Sequence, residues 1–105
     1  MPNISPKLKR TKNYHIYILE CANGSLYTGI AIDVAARFKK HCAGKGAKYT
    51  RMYPPVRILA QCKITGGMGT ALKLERKIKR LSRTTKLKLT VKPLALRLWV
   101  KHELG

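Results

Sequence analysis

Four acidic side chains stand against 23 Lys and Arg in this 105-residue chain, few enough for each to be judged by itself. Asp33 precedes a run of apolar periodicity and reads as a helix N-cap. Glu20 closes a stretch of aromatic and branched residues, and Glu103 lies near the C-terminus. Glu75 is different. It falls in a run of helical spacing, one turn from Ala71 and beside Ile78, where its other neighbours are cations. Its plainer reading is a charge-balancing surface carboxylate paired with Arg76 or Lys79. Its chemical reading is a hard-cation ligand, because a Mg²⁺ site can rest on one protein carboxylate when water and a substrate phosphate complete the shell. Tyr17, Tyr27, Arg37 and His41 support the second reading if they meet on one face. A phenol can take a proton from water if its pKa, about 10 when free, is lowered. A guanidinium can neutralise charge on phosphorus, and an imidazole can assist proton transfer. Each alone is ordinary, since Tyr favours strands and a helical His is often exposed. In combination they suit attack on a phosphate ester.

The elements must bring these residues together. Tyr14 to Glu20 (YHIYILE) and Leu26 to Ala31 (LYTGIA) read as strands, and the residues between them, Cys21 to Ser25, are a hairpin signal. A two-residue Asn23-Gly24 turn would pair Glu20 with Tyr27 and send Tyr17 and Tyr27 to opposite faces. A three-residue loop, with Gly24 left-handed in a bulge, pairs Cys21 with Ser25 and sets Leu19 against Tyr27 and Tyr17 against Gly29. The two tyrosines are then diagonal neighbours on one face, and Gly29 leaves space opposite Tyr17. The second register is the expected one.

Asp33 is expected to cap a helix from Val34 to about Cys42, with Val34, Phe38 and Cys42 as its apolar stripe. Arg37 and His41, four apart, share another face. Gly44 and Gly46 end that helix, and Lys45 to Arg51 reads as a basic loop. A third strand spans Val56 to Ile64, with Val56, Ile58, Ala60, Cys62 and Ile64 pointing inward. Thr70 is the expected cap of a helix to about Leu81, whose apolar line is Ala71, Leu74, Ile78 and Leu81. Ser82 suggests a further short helix, although KLKLTVK also alternates like a strand. No repeat or linker divides the chain; 1–13 reads as a short basic arm, and the last segment, Pro93 to Gly105, is apolar and ambiguous.

A net charge of +19 on one small domain is self-repelling, and the phosphate backbone is the commonest partner that relieves it. The N-terminal MPNISPKLKRTKN has no apolar core of a secretory signal, and no stretch approaches a membrane span. Three cysteines, Cys21, Cys42 and Cys62, with no C-x-x-C pair, support neither a disulfide framework nor a zinc knuckle. Cys62 is expected to be a reduced core thiol, which suits the cytoplasm.

The paired stretches Tyr14-His15-Ile16-Tyr17 and Tyr27-Thr28-Gly29 resemble the two motifs of the GIY-YIG nuclease superfamily. Arg37 falls at that family's arginine, His41 where relatives carry His or Tyr one turn later, and Glu75 at the metal-binding glutamate. GKGAKYTR at Gly44 to Arg51 and IKRLSR at Ile78 to Arg83 are similar to small stand-alone bacterial members. The resemblance covers about Tyr14 to Val91. It departs in the first motif, which lacks its Gly, in having no Asn after Asn23, and in having Ile30-Ala31-Ile32 where repair-type members carry a Lys.

The resemblance implies an α+β fold, a three-stranded antiparallel sheet flanked by helices. It implies an endonuclease that hydrolyses DNA with one Mg²⁺ (or Mn²⁺), structure-specific or non-specific, in DNA repair or recombination. Glu75 would hold the ion and Tyr27 would act as general base, its pKa lowered by Arg37 and the basic surroundings. Arg37 would neutralise charge, His41 would assist proton transfer, and Tyr17 would position water or phosphate. Lys45, Lys48, Arg51, Lys77 and Arg80 are candidates for tracking the backbone. The expected partner is DNA, or else RNA, on the nucleoid rather than a membrane. The rival expectation is a non-enzymatic nucleic-acid binder on the same fold, which the absent Asn favours.

Overall fold

In the computed structural model, residues 13–105 are described; the arm expected at 1–13 lies, except for Asn13, outside them. Strand β1 (Tyr14–Cys21) and strand β2 (Leu26–Ala31) form the hairpin in the three-residue register. Leu19 faces Tyr27 and Tyr17 faces Gly29. The Cys21 amide donates to the Ser25 carbonyl at 2.9 Å, and Gly24 adopts φ 83°. Such a conformation is cheap only without a Cβ. The Asn23 side chain closes the turn by accepting from the Ser25 amide at 3.1 Å.

Strand β3 (Pro55–Ile64) adds to the other side of β1, so the antiparallel sheet has the order β2-β1-β3. The central strand is covered on both faces: Ile16, Tyr17, Ile18 and Leu19 are each no more than 1% exposed. Burying such a side chain contributes about 1.5–3 kcal/mol. On one face Ile16 and Ile18 pack with Cys62 and Ile64 and with Ala71, Leu74 and Ile78 of helix α3 (Gly67–Arg80). On the other, Tyr17 and Leu19 pack with Val34 of helix α1 (Val34–Cys42), and Phe38 and Ile58 complete the cluster.

The strand β3 departs from simple alternation. Its partners shift twice, so that Leu59 and Val56 are extra residues against β1. Each bulge reverses the faces beyond it. Ile58 therefore joins Tyr17 and Leu19 instead of Cys62 and Ile64, and Val56, expected inside, is exposed.

The helices follow local signals closely. The Asp33 carboxylate accepts from the Ala36 amide at 3.0 Å. Cys42, expected on the apolar stripe, is exposed, and His41 takes the buried place instead. The segment expected as a basic loop contains a short helix, α2 (Lys48–Met52). Helix α3 begins at Gly67, a turn before the expected start; Thr70 is inside it, donating to the Gly66 carbonyl at 3.2 Å. Ser82 caps α4 (Arg83–Lys88) by accepting from the Thr85 amide, so the alternation there is helical. Residues after Lys92 form helix α5 (Ala95–Leu104), with Leu96 and Val100 in the core. No helix among the described residues is long and apolar enough to cross a membrane.

Two glycines give opposite expectations. A Cβ on Gly29 would strike the Tyr17 hydroxyl and ring, whereas one on Gly69, inside α3, meets nothing within 4 Å. Gly29→Ala should cost about 1–3 kcal/mol, the usual range for overpacking. Gly69→Ala should add up to about 1 kcal/mol through helix propensity. Urea unfolding of both variants checks the pair, and a Gly29→Ala as stable as the parent would contradict the tight Tyr17 seat.

Candidate active site

The hairpin register places Tyr17 and Tyr27 on one face, their ring centroids 6.5 Å apart. Helix α1 lies over this face and brings His41 between them. The His41 ring is 6.0 Å from Tyr17 and 5.3 Å from Tyr27, edge-on to both. Its Nε2 lies 2.9 Å from the Tyr17 hydroxyl, and its Nδ1 lies 2.7 Å from Thr50 Oγ1 of α2. His41 and Thr50 are fully buried. Outward from the pair runs an aromatic wall. Tyr49 stacks on Tyr27 at 6.2 Å and 16°, and Tyr53 follows at 5.2 Å. The Tyr49 hydroxyl donates to Ser25 Oγ at 2.6 Å, which ties the wall to the hairpin turn.

Arg37 and Glu75 face the same phenols from different helices. Helix α3 packs on the opposite face of the sheet, but its flank reaches Tyr27 on the edge strand β2. Lys79 Nζ sits 5.8 Å from the centre of the Tyr27 ring and 3.6 Å from the Glu75 carboxylate. The Glu75 side chain is 15% exposed. Burial, helped by the neighbouring Tyr27 phenol, pushes Tyr17 up to about 12, against a lowering by Arg37. Burial also raises Tyr27, the Glu75 charge adds to this, and Arg37 opposes it. The cationic surroundings thus do not lower Tyr27 as expected, because loss of water around the phenol outweighs them. Burial lowers His41, and Arg37 pushes the same way, so the imidazole is neutral at pH 7.

The chain has counterparts in sequence among known proteins. Residues 13–88 match the GIY-YIG catalytic domain. The chain belongs to the GIY-YIG family. That family is one of nucleases, which makes nucleic acid its substrate class. A UPF0213 protein of Cupriavidus necator is 52% identical over 73 residues, covering 70% of this chain and 78% of that one. One from Yersinia pestis is 46% identical over 78 residues, covering 74% and 81%. The solution NMR structure of a UPF0213 protein from Bacillus halodurans is 47% identical, covers 73% of this chain and 81% of its own, and superposes with a TM-score of 0.46.

All five residues singled out for chemistry in this GIY-YIG chain meet at one place: Tyr17, Tyr27 and His41 by contact, Arg37 and Glu75 through their charge on the phenols. Lys45, Lys48 and Arg51 are exposed around α2, and Arg80 at the end of α3. Lys77 is exposed too, but it is held by Glu103 of α5 at 3.0 Å. Sequence reasoning missed Thr50 and Tyr49: their run was read for its charge and for its likeness to small family members, and neither residue was singled out. It also took Lys79 solely as a partner for Glu75.

The fit to a metal can be judged from the donors. Among the described residues no group of three or more His, Cys, Asp or Glu side chains converges. Glu75 supplies one hard oxygen beside a phenol. That set fits Mg²⁺ or Mn²⁺ with water and phosphate in the shell, and not a closed zinc centre.

The neutral His41 has a consequence for stability. Its folded pKa lies below the ordinary 6.5, so the unfolded chain binds the proton more readily. Stability from this group is complete above pH 6.5 and falls as the pH drops through that value toward the folded pKa. Urea midpoints measured across this window should decline with acid in the wild type and less steeply in His41→Gln. Equal slopes would show that the imidazole does not titrate differently on folding.

Proposed function

We propose that this GIY-YIG protein is a metal-dependent endonuclease that hydrolyses phosphodiester bonds in DNA, structure-specifically or without sequence preference, in repair or recombination on the cytoplasmic nucleoid. One observation carries the reading: two phenols, a neutral imidazole and a guanidinium share one face of the sheet, and the flank of α3 brings a lone carboxylate to Tyr27 at its edge, in a chain of charge +19.

Bound at Glu75, one Mg²⁺ or Mn²⁺ would polarise the scissile phosphate and ease departure of the leaving oxygen. The chain's own groups do the rest. Tyr27, less buried than Tyr17, is the base: its phenol first gives its proton to solvent, and the phenolate then takes a proton from water. The water oxygen forms the new bond to phosphorus as the bond to the leaving sugar oxygen breaks, and that oxygen takes a proton from solvent. A cation held at Glu75 would offset the charge that raises Tyr27. Arg37 balances charge gathering on the phosphate oxygens. Tyr17, held by His41, positions the phosphate or water, and His41 assists proton movement. Lys45, Lys48 and Arg51 track the backbone, with Arg80 and Lys77 farther along the basic surface.

A second reading is a nucleic-acid binder, of DNA or RNA, without catalysis. It is favoured by the raised pKa of both phenols, which leaves them protonated at neutral pH, and by the absence of Asn after Asn23.

Cleavage of flap, nicked and linear DNA, with Mg²⁺ and with chelator, separates the two. Glu75→Gln should abolish metal-dependent cleavage while DNA binding stays equal or tightens. Tyr27→Phe should lose at least about a hundredfold, as for a general base. Tight binding with no cleavage by the wild type would leave the binder reading standing. Equal cleavage by all three would place the activity elsewhere.

Affinity for DNA should fall steeply with salt. Replacing Lys48 and Arg51 with Ala should reduce the log–log slope by roughly 0.9 for each phosphate that is no longer neutralised. Lys77→Ala should change it less, because Glu103 already neutralises that ammonium. A salt-independent affinity would remove the electrostatic basis of the proposal.

A further inference from the structure

Tyr17 is 1% exposed, so its hydroxyl proton needs an acceptor inside the protein. The acceptor in reach among the described residues is His41 Nε2, at 2.9 Å. Arg37, which also faces this phenol, can only donate. Nε2 is therefore the bare nitrogen, and a neutral imidazole then carries its proton on Nδ1. Nδ1 lies 2.7 Å from Thr50 Oγ1, and the Thr50 hydroxyl gives its own proton to the Ala47 carbonyl at 2.9 Å.

The three bonds run one way. Tyr17 donates to His41, His41 donates to Thr50, and Thr50 donates to the backbone. Every buried polar atom along this line has a partner. With the opposite polarity, Thr50 donating to Nδ1 and Nε2 donating to Tyr17, the buried phenol proton would have no acceptor among the described residues. The Ala47 amide approaches Nδ1 only at 3.5 Å, the outer limit of a hydrogen bond, and does not overturn this order. Gly46 allows the chain to close over the ring, since a Cβ there would strike the imidazole.

We propose that Thr50 is a positioning residue of this site: by accepting from Nδ1 it holds His41 in the tautomer that accepts from the Tyr17 hydroxyl, and so fixes the Tyr17 oxygen beside Arg37. Thr50 acts through His41 and does not touch substrate. It also lies between Lys48 and Arg51 in one five-residue helix. Two of the cations proposed to grip the backbone and the residue that sets Tyr17 therefore share a single short helix.

The kinetic half of this inference rests on the nuclease reading; the tautomer half does not. Heteronuclear NMR of the His41 ring nitrogens in the metal-free protein reads the tautomer. Steady-state cleavage of nicked DNA with Mg²⁺ reads the consequence. The wild type should show an unprotonated Nε2. Thr50→Val keeps the volume and removes the acceptor. It should mix or reverse the tautomer and lower kcat about ten- to hundredfold, the usual range for losing an orienting partner, with KM for DNA little changed. Thr50→Ser should restore both. Thr50→Ala, read in the same two assays, replaces the Val variant if that variant does not fold. A wild-type His41 protonated on Nε2 would overturn the proposal, as would a Thr50→Val that keeps both the tautomer and the rate. A wild type that cleaves nothing removes the nuclease reading, and the tautomers of the three proteins still decide the role of Thr50.

Discussion

A phenol buried at the middle of a three-stranded sheet must give up its proton inside the protein, and much of this molecule is arranged around that requirement. Tyr17 is on the central strand and has Gly29 opposite it. The ring fills the space that a Cβ on Gly29 would occupy. Its hydroxyl then needs a base that is itself buried, which puts His41, rather than an apolar residue, at an inward position in the last turn of α1. His41 in turn needs a partner for its second nitrogen, and that need draws α2 onto the site through Thr50. An unsatisfied buried polar group costs about 1–3 kcal/mol, so each link supplies a reason for the next.

The electrostatics are one-sided. All four carboxylates have visible partners among the described residues. Glu20 pairs with Arg57, Glu103 with Lys77 and Glu75 with Lys79, while Asp33 caps α1. None remains to offset the other cations, so a polyanion lying over α2 and the end of α3 meets little repulsion. Only Glu75 sits beside the phenols. Its ion pair with Lys79 is 3.6 Å long and within one helix, the kind worth only about 0.3–0.5 kcal/mol. The weak pairing leaves this carboxylate able to exchange its lysine for a stronger cation.

The hairpin was legible because its chemistry is local. Loop length and Gly24 select the register, and the register decides whether the two tyrosines share a face. Asp33, Ser82 and the Ala71-Leu74-Ile78 line were likewise readable, each from a few neighbouring residues. The bulges at Leu59 and Val56 were not, because the alternating pattern contains no mark of an extra residue until its partner strand is known. The burial of His41, itself singled out for chemistry, was hidden for a different reason. Helical periodicity counts histidine as polar, and only the tertiary presence of Tyr17 makes its burial favourable. Thr50 stood in a five-residue helix, too short for any period to declare itself. The C-terminal helix was ambiguous because an apolar run without clear alternation fits either element; its docking on the sheet through Leu96 and Val100 is a tertiary fact.

The two bulges in β3 also bear on how the molecule behaves in a crowd of copies. A sheet ordered β2-β1-β3 ends in β3 on one side, and an edge strand of ten residues offers a ladder of amides and carbonyls to any passing chain. The extra residues break the regular spacing of that ladder twice, and Lys63 keeps positive charge along it. A second molecule aligning there would find its hydrogen bonds out of step and like charges opposed. The irregularity that defeats a simple alternating pattern thus works against strand-by-strand aggregation of a short, strongly cationic domain.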